Sequence, residues 1–255
     1  MTASNTEDVV EVLNPAGASP VVLVCEHASS FIPPELQDLG LNRNDRLSHA
    51  AWDPGALAVA QQMAKRLDAK LVASRISRLV YDCNRPPDAP DAMPARSELV
   101  VVPGNAELDE TARQSRTMAY YHPFRETLAR TLSVTAAQGA TPVLVTVHSF
   151  TPVYHGSPRA VEIGILHDSD TRLADAMLEA AQASELNVQR NEPYGPEHGV
   201  THTLKQHGLS NGYANVMLEI RNDLIGTEIQ QRKMGDTLCD WLLTALKRIE
   251  QEGQP

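Results

Sequence analysis

Short runs of aliphatic and β-branched residues, separated by stretches with helical spacing, constrain this chain more than any other feature. Val21-Val22-Leu23-Val24-Cys25 and Val143-Leu144-Val145-Thr146-Val147 are apolar without alternation. Runs of that length with no polar face suit a sheet covered on both sides, the setting of parallel strands. The first run predicts a strand over 20–26, and further strands are predicted at 70–74, 161–166, 186–190 and 215–220, with a short extended piece at 79–81. Helices are predicted over 53–68, 107–137, 170–184 and 227–250. In the last of these, Leu238, Trp241, Leu242, Ala245 and Ile249 form one apolar stripe. His122-Pro123 is expected to break or kink the second. Strands alternating with helices indicate an α/β sandwich on a mixed, largely parallel sheet. Residues 1–18 are polar and expected to be a flexible arm, leaving 19–255 as a single α/β domain. The proline-rich stretch 84–105 is long and irregular enough to suggest a lid or active-site rim.

Charge and cysteine usage remove several function classes. The net charge is −10 and no long basic run occurs, which argues against nucleic acid as a partner. An acidic surface still permits an anionic substrate, because local arginines can make a positive pocket. Cys25, Cys83 and Cys239 are scattered without C-x-x-C spacing. That argues against a disulfide framework or a thiolate-rich zinc site, and for a reducing compartment. The first fifteen residues carry no basic, apolar signal pattern, and no apolar run approaches the roughly 20 residues needed to span a bilayer. A cytoplasmic protein with no membrane partner is expected.

Both apolar runs lead into a histidine, His27 and His148. Open α/β sheets bind ligands at the carboxyl ends of their strands. Two imidazoles delivered to one sheet edge make a candidate metal pair. A third ligand is open between Asp53, Glu26 and His49. Asp53, before Pro54-Gly55, also suits a helix N-cap, and Glu26 points to the opposite strand face from His27. Glu219 lies near the end of an apolar strand, where a carboxylate needs a reason to be, and fits a general base. Arg221 shares its face by alternation and suits a substrate carboxylate. Tyr81-Asp82-Cys83-Asn84-Arg85 is a second polar cluster. Arg85 is a candidate clamp or oxyanion stabiliser and Asn84 a candidate oxyanion donor, while Asp82 and Asn84 also suit a turn. His198, His202 and His207 crowd the stretch before the last strand, with His202 a further substrate-binding candidate. Gly208-Leu209-Ser210-Asn211-Gly212 matches G-x-S-x-G, but a strand follows it where a nucleophile elbow needs a helix. A Cys25 nucleophile beside His27 is a minor alternative.

In order along the chain, Glu26-His27-Ala28-Ser29, Trp52-Asp53-Pro54-Gly55-Ala56, Tyr81-Asp82-Cys83-Asn84-Arg85-Pro86, Tyr121-His122-Pro123-Phe124, His148-Ser149-Phe150 and Glu219-Ile220-Arg221-Asn222 resemble the N-formylglutamate amidohydrolase family. The resemblance runs from about residue 20 to 245. It implies a three-layer, phosphorylase/hydrolase-like α/β fold related to zinc carboxypeptidases and amidases. It also implies one zinc ion held by His27, Asp53 and His148, with Glu219 as base. The implied reaction is hydrolysis of N-formyl-L-glutamate, a small acidic N-acyl amino acid, to formate and L-glutamate, as in histidine degradation. Glu26 departs from many relatives, which carry a small residue or proline before the first histidine. A peptidase or amidase on the same scaffold, and a metal-binding module without catalysis, are the rival expectations.

Overall fold

Seven strands share one sheet, and their order explains how two histidines 121 residues apart come to meet. The computed structural model describes residues 9–252. Its sheet contains β1 (Val10–Leu13), β2 (Val21–Cys25), β3 (Lys70–Ser74), β4 (Val143–Phe150), β5 (Ile163–Leu166), β6 (Val188–Arg190) and β7 (Asn215–Arg221). The spatial order is β1-β3-β2-β4-β7-β5-β6. The four central strands β3, β2, β4 and β7 are parallel. β1 runs antiparallel to β3 and β5 antiparallel to β7, while β6 follows β5 in parallel. The mixed, largely parallel sheet read from the sequence is therefore present.

The longer helices are α1 (Ala56–Leu67), α2 (Glu110–Arg116), α3 (His122–Ala137), α4 (Arg172–Ala180) and α5 (Glu228–Glu252). Period-two alternation sorts the strand side chains into two cores. Val21, Leu23, Cys25, Val145, Val147, Val216 and Leu218 pack with α1, α4 and α5. Val22, Val24, Leu144 and Met217 pack with Phe124, Leu128 and Leu132 of α3. Covering both faces is why these strands read as unbroken apolar runs. Each fully buried Val or Leu contributes about 1.5–3 kcal/mol, and a one-residue slip would exchange the two faces. The register is thus strongly specified. It pairs Glu219 with His148. It also pairs Val24 with Thr146, so Glu26 comes alongside His148 two residues further on. All three carry their side chains on the α3 face.

Three local expectations are corrected. Val10–Leu13, expected within the arm, forms the edge strand β1 against β3; residues 1–8 of that arm lie outside the described residues. The piece at 79–81 is a turn, with the Val80 amide bonded to the Ser77 carbonyl, and not an extended strand. At His122-Pro123 the helix is not broken: a π-helical turn, Thr117–Tyr121, joins α2 to α3. Proline is the second residue of α3, immediately after that π-helical turn.

The entry to α1 matters most for the site. Its cap residue is Gly55 at φ 83, with no side-chain cap. A Cβ there would stand 2.7 Å from the Ile225 carbonyl oxygen, so only glycine fits this left-handed turn. The turn lifts Asp53 out of the capping role and beside His27, whose carbonyl accepts the Asp53 amide at 2.9 Å. Among the described residues no helix is long and apolar enough to cross a membrane.

Candidate active site

His27, Asp53 and His148 converge at the carboxyl edge of the parallel strands, all of them buried. Their facing atoms form a tight triangle. Asp53 Oδ2 lies 3.2 Å from His27 Nδ1 and 3.0 Å from His148 Nδ1, and the two nitrogens are 3.2 Å apart. The Ser149 amide donates to the same Asp53 oxygen at 3.2 Å. On the outer side of each ring stands another carboxylate. His27 Nε2 is 2.7 Å from Asp82 Oδ1, and His148 Nε2 is 3.1 Å from Glu26 Oε2. The His27–Asp82 hydrogen bond leaves the inner nitrogen's lone pair for the centre, the arrangement typical of metal-ligating histidines; Glu26 stands at ion-pair distance from His148 without a hydrogen bond to it.

Two imidazole lone pairs and a carboxylate oxygen this close repel unless positive charge sits among them. An unpaired buried charge costs several kcal/mol. Protons meet the need in part. Burial opposes protonation of His148, yet Glu26 and Asp53 raise its pKa well above the usual imidazole value. For His27, burial and Arg78 oppose protonation, but Asp82 and Asp53 prevail and raise it. Burial alone would raise Asp53; the two histidines reverse this and hold its carboxyl far below the usual range. A divalent cation would satisfy all three atoms at once. Ligands about 2.0–2.1 Å from a tetrahedral ion stand roughly 3.3–3.4 Å apart, close to the observed triangle. The donor set therefore fits a metal such as zinc.

Glu219 is the next side chain along the row. It is 6% exposed, and its Oε2 has no hydrogen-bond partner among the described residues. Burial pushes its pKa up to about 7, with His148 opposing and Asp53 adding to the rise. A cavity of about 270 Å3 opens over these groups. Its wall includes Arg78, Arg85, Tyr194 and Phe150, and His49 and Glu98 stand there joined by a 2.6 Å contact.

The remaining sequence candidates divide. Arg85 lines the cavity, its Nε on Asp91 at 2.6 Å and its Nη1 on the Asn84 and Gly199 carbonyls. Asn84 is also in the wall, but its amide is engaged. Its Nδ2 donates to the Val200 carbonyl at 2.6 Å and its Oδ1 accepts the Thr203 amide at 2.9 Å. It pins the 200–203 segment, with one of its two N–H donors committed to Val200. Arg221 does not line the cavity. Asp223 and Glu162 take its guanidinium at the strand end, so the clamp expected there is corrected. His202 does not line it either: its Nε2 lies 2.8 Å from the Tyr121 hydroxyl, between α3 and the 201–208 segment. Glu26 faces the outer nitrogen of His148, away from Asp53, and His49 faces Glu98 at the rim. Neither joins the triangle. Cys25 packs in the core of the opposite face, and burial raises its thiol well above the usual range. Ser210 sits on a short 3-10 turn, Leu209–Asn211, with no helix behind it.

Arg78 was not anticipated. Its Nη2 is 2.8 Å from Asp82 Oδ2 and its Nη1 is 3.6 Å from Asp53 Oδ1. These two carboxylates outweigh its burial and raise its pKa. The available signal was a lone cation just ahead of the apolar residues Leu79-Val80-Tyr81, an anomaly like the one that singled out Glu219. Asp82, read as a turn former, is that and more: it accepts the Asn84 amide at 2.9 Å with the same oxygen that meets His27. Tyr194 carried no sequence signal.

A buried acid beside a cation-seeking triangle, at the carboxyl edge of a mixed α/β sheet, is an arrangement suited to hydrolysis. The chain belongs to the N-formylglutamate amidohydrolase family, whose model matches residues 19–226. It is 53% identical to the gene product Atu2144 from Agrobacterium tumefaciens, with a TM-score of 0.94 over 96% of this chain and 97% of that one. It shares its fold with the N-formylglutamate amidohydrolase from Ralstonia eutropha at 18% identity, with a TM-score of 0.59 over 96% of this chain and 98% of that one. No curated protein matches the chain.

Proposed function

We propose that this chain is a zinc-dependent amidohydrolase acting on a small acidic N-acyl amino acid, with N-formyl-L-glutamate as the leading substrate and formate and L-glutamate as products. One observation carries the reading: three acceptor atoms lie 3.0–3.2 Å apart, each histidine among them backed by a buried carboxylate. His27 and His148 would hold the ion through Nδ1 and Asp53 through Oδ2. Bound there, zinc supplies Lewis acidity, making water acidic enough to ionise near neutral pH and polarising the scissile carbonyl. Glu219 accepts the proton of the attacking water on its carboxylate and returns it to the leaving nitrogen. Arg85 and Arg78 supply the positive charge of the cavity wall, for a substrate carboxylate and for the oxyanion that develops on the carbonyl. At about 270 Å3 the cavity is at the small end of ligand pockets, which favours an acyl amino acid over a polymer.

The test is metal content and formate release measured together on purified protein with N-formyl-L-glutamate, with and without chelator. The expected result is about one zinc per chain and formate release that chelator abolishes and zinc restores. Zinc without formate release keeps the centre and overturns the substrate. Absence of both overturns the mechanism.

Arg85 and Arg221 separate in a second measurement. Losing a charge-assisted contact of about 1.5–3 kcal/mol is expected to raise KM roughly ten- to a hundredfold in Arg85→Gln. Arg221→Gln, outside the cavity, is expected to leave KM unchanged. The reverse pattern in steady-state kinetics would return the clamp to Arg221.

A further inference from the structure

We infer that Glu26 is a positioning residue for the metal centre: its buried carboxylate fixes which nitrogen of His148 faces the ion and slows the ion's escape. The inference rests on reading His27, Asp53 and His148 as ligands. Three observations support it. Glu26 is 1% exposed and His148 2%. Glu26 Oε2 is 3.1 Å from His148 Nε2, the nitrogen turned away from Asp53. The sheet itself brings the two side by side, through the register that pairs Val24 with Thr146. Neighbouring strand ends thus place the two residues side by side.

The charge surroundings of the two backing carboxylates differ. Asp82 shares its charge among His27, the Arg78 guanidinium at 2.8 Å and the Asn84 amide at 2.9 Å. Glu26 has no lysine or arginine within ion-pair distance among the described residues; its ion-pair partner is His148. A buried carboxylate is costly without a cation to answer it. With His148 relaying the interaction, the cation that answers Glu26 is the one at the centre. Its negative charge, 3.1 Å from Nε2, favours the proton on that nitrogen and makes the Nδ1 lone pair more basic. Asp82 does the same for His27 with part of its charge already neutralised by Arg78. Glu26 thus contributes the less screened share of the attraction that retains the ion. It is a positioning residue and not a catalytic one, because His148 stands between it and the reacting atoms.

The experiment is a chelator chase. The full-length protein is loaded with Zn2+ or with Co2+, excess ion is removed, and release into a large excess of chelator is followed. Glu26→Gln keeps the shape but loses the charge. It is expected to bind the ion about 10–100-fold more weakly, with correspondingly faster release, a shifted visible Co2+ spectrum and an unchanged circular dichroism spectrum. Glu26→Asp keeps the charge but withdraws it by one methylene. It is expected to move the same way, and it serves alone if the glutamine variant does not fold. Release and Co2+ spectra indistinguishable from the parent's, in whichever variant folds, overturn the role of Glu26 alone. A parent protein that retains neither ion overturns instead the ligand reading beneath it.

Discussion

Glu219→Gln is expected to lower kcat by about 10²- to 10⁴-fold, the usual contribution of a positioned general base, while metal content stays at the parent level. Glutamine matches glutamate in size, so the sheet and the row of side chains beside His148 are preserved. What is lost is an oxygen able to take a proton. Glu219 is suited to that task because burial lifts its pKa to about 7. A base near the working pH can both accept the proton of water and release it to nitrogen. KM is expected to change little, since Arg78 and Arg85 and not Glu219 meet the substrate's carboxylates. The decisive measurement pairs single-turnover rate with metal analysis. Parent-like turnover would move the base elsewhere. Loss of metal together with turnover would make Glu219 a ligand.

Most of this architecture is legible locally, and the reasons it is legible also mark where reading stops. β2, β4 and β7 announce themselves because both faces are buried, which leaves apolar runs with no polar break. Where such a run does break, at His148 and Glu219, the exception marks the site. β1 is short, carries Glu11 and follows a polar segment, so nothing local distinguishes it from a tail. It becomes a strand only through β3, some sixty residues later. The carboxylates behind the histidines are hidden for the same reason: Asp82 reaches His27 across 55 residues, and Glu26 reaches His148 across a strand register. Asp53 was ambiguous in sequence because an aspartate ahead of Pro-Gly is an ordinary cap. The left-handed Gly55 decides it by taking the cap position itself. Arg221 shows the opposite failure. Alternation gives it the face of Glu219, but as the last strand residue it turns to Asp223, two positions on.

Raising the pH is expected to widen the stability gap between zinc-loaded and metal-free protein, because at the centre protons and zinc compete for the same atoms. In the metal-free protein His148 and His27 have pKa values raised above the ordinary imidazole value of 6.5, chiefly through Glu26 for the first and Asp82 for the second, against burial. A raised folded-state value means the native protein holds more protons than the unfolded chain. The stabilisation this gives is complete below the unfolded value and is lost as pH climbs through the folded one. Glu219, raised from 4.5 to about 7, acts in the same sense over its own interval. Metal-free protein should therefore lose stability from mildly acidic to mildly alkaline pH. Zinc must displace the histidine protons, so its apparent affinity rises about tenfold per pH unit for each proton displaced. Each such proton widens the gap by about 1.4 kcal/mol per pH unit. Thermal melts between about pH 5.5 and 7.5, at fixed zinc and in chelator, read this directly, with the separation in Tm growing as pH rises. His148→Ala removes a ligand and the larger of the two proton sinks, and is expected to show no separation at any pH. A pH-independent separation in the parent would place the ion at some group other than these histidines.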